Sequence, residues 1–150
     1  MADQSVPYSH SELMIALERD VASVSDTILA LTPEDCFTHP EGVWSPAENV
    51  IHLQQLTKVL TLAFYLPRFT LSTLFGKPKH QSTDYLTIKT RYQAAIAKGF
   101  SAPAYSIPAK PQGPISLQAQ QALVAQWQKL NQQLIETLFH WDEEALDQYQ

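Results

Sequence analysis

From Leu13 the apolar residues Leu13, Leu17, Val21, Val24, Ile28 and Leu31 recur at steps of four and three, and Leu123, Trp127, Leu130, Leu134, Leu138 and Trp141 do the same later in the chain. Alternation every second residue would mark a strand. A step of three or four marks one face of an α-helix. Each run needs a partner surface along most of its length, so the chain has to fold as helix packed on helix. The first run starts at Ser9, where the hydroxyl can cap the first turn and Glu12 can reach back to the Ser9 N–H. Thr32-Pro33 stops it.

A further helix opens at WSPAENVIHL, residues 44–53. Ser45 suits the cap, Pro46 the first helical position, and Glu48 completes a capping box. At roughly 100° per residue, Val59 and Ala63 fall within about 20° of His52, Leu56 at about 40° and Leu60 at about 80°. His52 is therefore expected near the middle of a core-facing stripe, with Glu48, Asn49 and Gln55 within about 60° of it. Polar groups entering a core need partners. Pro67 should end or kink this helix, with Gly76 a C-terminal stop. A shorter helix is expected over 84–99, capped by Asp84, with Tyr85, Ile88, Tyr92 and Ile96 on one side and Gly99 closing it. Four prolines in SAPAYSIPAKPQGP, residues 101–114, exclude helix and sheet interior alike, and the last long helix should begin at Ser116. No alternating β pattern stands out. These elements predict a single all-α domain over 1–150, an up-and-down bundle.

With 45% apolar and 17% charged residues, the chain has a globular composition. A net charge of −5 and ten scattered Lys and Arg residues argue against nucleic acid as the main partner. One cysteine, Cys36, leaves no internal disulfide and fits a reducing compartment. The N-terminal MADQSVPYSH lacks the basic and apolar regions of a signal peptide. The stretch LTLAFYLPRFTLSTLF, residues 60–75, is too short to span a bilayer and is broken by Pro67 and Arg68. A cytoplasmic protein with no membrane partner is expected.

Several short motifs reduce to structure. Cys36-x-x-His39 has a metal-site spacing but no second pair, and reads as an inter-helix loop. Gly76-Lys77-Pro78 lacks the residues that would make it a phosphate loop. Asp142-Glu143-Glu144 reads as a helix start, where acidic groups complement the dipole. Trp127 and Trp141 read as core packing. LTPEDCF after the first long helix is echoed by HWDEEALDQYQ after the last, which by analogy places a further helix near position 154.

The motif Trp44-Ser45-Pro46-Ala47-Glu48-Asn49-Val50-Ile51-His52-Leu53 resembles the start of helix two in the DinB/YfiT-like superfamily, and the two helix exits sit where that family has comparable turns. The resemblance implies a four-helix bundle, a divalent metal (zinc or nickel) held by three histidines, and metal-dependent hydrolysis or thiol-dependent transfer. His52 matches the ligand on helix two, and Glu48, Asn49 and Gln55 would orient it from behind. The family's other ligands form an H-x-x-x-H pair on its last helix. No two of His10, His39, His52, His80 and His140 are four apart, and His140 projects about 120° from the Leu134 stripe. The chain thus reads as a DinB-like bundle missing or replacing its last helix.

Two readings of His52 follow: a metal ligand or proton carrier, or a structural histidine bonded to Glu48, Asn49 or a backbone carbonyl. Two function classes follow with them, a DinB-like metal-dependent hydrolase or transferase with an incomplete site, and a non-catalytic interaction or oligomerisation module. An absent helix would leave an apolar groove in need of a cover, from a second copy in a dimer, from the 84–99 helix folding inward, or from a further segment.

Overall fold

The computed structural model describes residues 9–39, 41–67, 70–71, 73 and 83–147. Local signals set most helix ends. In α1 (His10–Ala30) the Ser9 hydroxyl accepts from the Glu12 N–H, while the Glu12 carboxylate accepts from the Ser9 N–H at 2.9 Å. The one-turn α2 (Pro33–Phe37) is capped by Thr32, and α3 (Pro46–Tyr65) by Ser45. Asp84 caps α4 (Tyr85–Ala97), which Gly99 leaves with φ +84°, a left-handed turn that suits glycine. A 3₁₀ turn (Ala104–Ser106) interrupts the proline-rich connector. Ser116 then caps α5 (Leu117–Phe139), and α6 (Glu143–Asp147) follows. The described residues contain no strand, and no described helix is long and apolar enough to cross a membrane. The expected stop at Gly76 and the position of His80 lie outside the described residues.

The helix α5 is the centre of the fold and packs on both α1 and α3. Val124, Trp127, Leu130, Leu134 and Leu138 are all buried along it, each side chain contributing about 1.5–3 kcal/mol. Side-chain bonds to backbone carbonyls fix the pairing. Trp127 donates Nε1–H to Val21 O at 3.2 Å, and His10 Nε2 lies 2.9 Å from Leu138 O. The wholly buried Gln120 donates to Ile28 O at 2.6 Å and to Leu31 O at 3.0 Å, so one amide from α5 satisfies carbonyls at the end of α1. As numbers rise on α1 they fall on α5. The two are antiparallel.

The neighbour on the other side runs with α5. Gln54 donates to Leu123 O at 3.1 Å, and Trp141, just beyond α5, donates to Phe64 O at 3.1 Å. Numbers rise together on the two helices, so α3 and α5 are parallel, the relation that the second and fourth helices of an up-and-down bundle have. The departure is at α4, which stands third in that order and buries none of its residues.

Two further departures concern faces. The residues that α3 buries are Ala47, Glu48, Val50, Gln54 and Thr57. Apart from Glu48, these lie opposite His52, not beside it. Val59 and Leu60, expected in the core, are half exposed at 52% and 49%. The true inner face looks polar in sequence because Gln54 is satisfied by α5, and Thr57 bonds back to Leu53 O at 2.9 Å. Trp141 also leaves the stripe. The helix ends at Phe139, and the Trp141 ring stands edge-on to Phe64 at 5.1 Å between centroids, in a second small core with Leu71 and Ala145. The echo between the two helix exits takes physical form. Both α2 and α6 are single turns, with Thr32 accepting from Asp35 N and Asp142 from Ala145 N, and they bury Cys36 and Ala145.

Candidate functional site beneath the connector

On the side of His52 the start of α3 meets the proline-rich connector, while Ala47 and Val50 on the other side pack in the core. Ser45 is buried, its N–H donates to Glu48 Oε2 at 2.7 Å, and its hydroxyl accepts from Glu48 N at 3.1 Å. Glu48 is only 4% exposed. The Ser45 N–H holds its carboxyl below the usual carboxylate range; burial opposes this, and the Ser45 hydroxyl, His39 and Lys110 add to it. His39 Nε2 stands 3.5 Å from Glu48 Oε2. Phe37, His39, Glu48, Lys110, Gly113 and Ala119 are among the residues that line a cavity of about 240 Å³ over this carboxylate. The sequence-predicted cap is therefore present, and it also forms the floor of a pocket. Asn49 turns away. Its amide donates to Ser45 O at 2.9 Å and the residue is exposed.

One turn later, His52 is half buried. Its Nδ1 lies 2.6 Å from Ser106 O. A carbonyl oxygen only accepts, so Nδ1 carries the hydrogen and the lone pair of the neutral ring sits on Nε2. The carbonyl is itself held in place, since Ser106 is fully buried and its N–H and hydroxyl both donate to Pro103 O, at 2.8 and 2.9 Å. On its other side the imidazole meets Trp44, with ring centroids 5.1 Å apart and planes tilted by 50°. Gln55 is half buried with its Oε1 shut away from solvent and, among the described residues, without a hydrogen-bond partner.

The structure thus brings His52, Trp44 and Ser106 together, sets Glu48 with His39, and leaves Asn49 outside both groups. The remaining described histidines are elsewhere, with His10 and His140 on the groove between α1 and α5. Among the described residues no three His, Cys, Asp or Glu side chains converge as metal ligands would. Around His52 stand the Ser106 carbonyl, which engages one ring nitrogen, and the Trp44 indole, which covers one side of the ring. Cys36 is buried, and burial pushes its thiol pKa up, away from reactivity.

Sequence reasoning missed Ser106, Gln54 and Gln120. The proline content of 101–114 was the available signal for a rigid carbonyl; no local pattern marks either glutamine. Comparison of the chain with protein-family models, curated proteins and solved structures returned no match.

Proposed function

We propose that this chain is a non-catalytic helical interaction module of DinB-like descent, whose working surface is the groove between α1 and α5. The observation that carries this reading is apolar surface left open at a cleft. The groove is about 560 Å³, within the usual range of about 300–1,000 Å³ for binding clefts. Its Ile15 and Phe139 are 66% and 72% exposed, and Met14 and Ile135 complete an apolar floor. Such continuous exposure in a folded domain marks a surface meant to be covered. His52 is meanwhile committed to the connector, where it closes a loop over the start of α3.

A second reading keeps the metal-dependent hydrolase or transferase, and it draws on the same His52 bond. An Nδ1–H given to a carbonyl is the arrangement that aims Nε2 at a ligand. Measurements on one purified protein separate the two. The interaction reading expects substoichiometric metal by elemental analysis, unchanged by His52→Ala. It also expects an apolar dye to bind the folded protein and to be released by Ile15→Asp with Phe139→Asp at unchanged helical circular dichroism. Stoichiometric zinc or nickel that disappears with His52→Ala overturns it.

A further inference from the structure

The helix α4 is amphipathic, and its apolar side is exposed. None of its 13 residues is buried, and it forms no extensive packing with the other described elements. Ile88 and Tyr92, the middle of its stripe, are 55% and 61% exposed. Around the helix Lys89 lies about 55° to one side of this stripe and Arg91 about 105° to the other. Lys89 also reaches over the Tyr85 ring, with Nζ 5.9 Å from its centroid, which keeps the cation at the edge of the apolar surface.

The α1–α5 groove is complementary in kind. Its floor is apolar, α1 contributes Glu18 to one wall and α5 contributes Glu136 to the other, and the lining includes no Lys or Arg. Arg19, next along α1, is taken by Asp20 at 2.9 Å, and Glu136 accepts from the uncharged Gln132 amide at 3.1 Å. A stripe flanked by two cations thus faces, in chemistry, a trough flanked by two anions. Both are on the same chain.

We infer that the groove receives α4 of a second copy of this chain, with Ile88 and Tyr92 over Met14, Ile15, Ile135 and Phe139, and with Lys89 and Arg91 against Glu18 and Glu136. Two such exchanges related by a twofold axis close a dimer and leave neither stripe exposed. The inference rests on the interaction reading and names its partner. Opposite charges favour this pairing over contact between like-charged surfaces, while the apolar pairs supply the affinity.

Sedimentation velocity over about 1–100 μM tests it, and the expected result for the unaltered chain is a concentration-dependent dimer. Ile88→Asp with Tyr92→Asp alters only exposed side chains, and is expected to weaken association about thirtyfold or more at unchanged circular dichroism. A charge exchange supplies the second arm. Glu18→Lys with Glu136→Lys, and separately Lys89→Glu with Arg91→Glu, should each weaken self-association, and mixing the two variants should restore a dimer because each groove then meets a helix of opposite sign. A monomer throughout the range overturns the inference, as does a mixture that associates no better than its components. Protection of α4 from hydrogen exchange at every concentration in a monomer also overturns it, in favour of closure on the chain's own groove. If Ile15→Asp with Phe139→Asp abolishes the dimer and the α4 substitutions do not, the groove reading stands and only the α4 pairing falls. If neither pair affects a dimer, both fall.

Discussion

The helices α5 and α4 are built on the same pattern and end in opposite situations. Each carries apolar residues at steps of three and four and a side-chain cap at its first turn. Eight residues of α5 are buried, against none of α4. The difference comes from neighbours, since α5 lies between α1 and α3 and is bound to them by Gln120, Trp127 and Gln54, whereas α4 sits in the return stretch between two parallel helices. A hydrophobic stripe states that a surface is to be covered. It does not say whether the cover lies on the same molecule.

The contrast is open to direct attack. The largest expected effect is on the α5 side: Trp127→Ala should cost about 3–5 kcal/mol in urea unfolding, because it leaves a cavity and removes the donor to Val21 O. A loss below about 1 kcal/mol would mean that α5 is not the centre of the fold. Next comes Gln120→Ala, expected to cost about 1–3 kcal/mol by freeing the Ile28 and Leu31 carbonyls in a buried place, with faster amide exchange at the end of α1 as the local readout. His52→Ala should cost only about 0.5–1.5 kcal/mol and act locally, raising protease cleavage within 101–115 while α1 and α5 stay protected. Smallest is Tyr92→Ser on α4, within about 0.5 kcal/mol for the monomer by the same unfolding measurement.

Glu48 adds a pH dependence confined to the connector side. Its folded pKa is depressed, chiefly by the Ser45 N–H, so its contribution is full above the unfolded value of about 4.3 and is lost as pH falls through the folded one. Unfolding midpoints should therefore drop below about pH 4.3, and Glu48→Gln should flatten that drop while lowering stability at pH 7. An unchanged acid profile in that variant would show that the capping carboxylate is not held as described.

What could be read from the sequence follows the range of each interaction. The caps at Ser9, Ser45, Asp84 and Ser116 act within three residues, and each was visible as a residue type at a fixed offset, whereas Thr32, read as the stop of α1, also caps α2. The inner face of α3 was not visible. Gln54 and Thr57 occupy it because a carbonyl on α5 and one within α3 receive them, and a hydrophobicity pattern treats both as outward residues. The exposure of α4 was also hidden, since helix periodicity marks an apolar stripe without saying which surface covers it. At the candidate site, the capped helix start was legible from WSPAENVIHL, but the direction of His52 was not, because Ser106, which determines its tautomer, is 54 positions away along the chain.

Cys36 gives the fold an internal stopwatch. It is the one sulfhydryl in the sequence, it is shut in where α1, α2 and α3 meet, and burial holds it in the protonated form that alkylating reagents attack slowly. Its rate of modification therefore reports how often that junction breathes, with no label added. A chain that opens there before it opens along α5 would lose its single thiol long before its helicity.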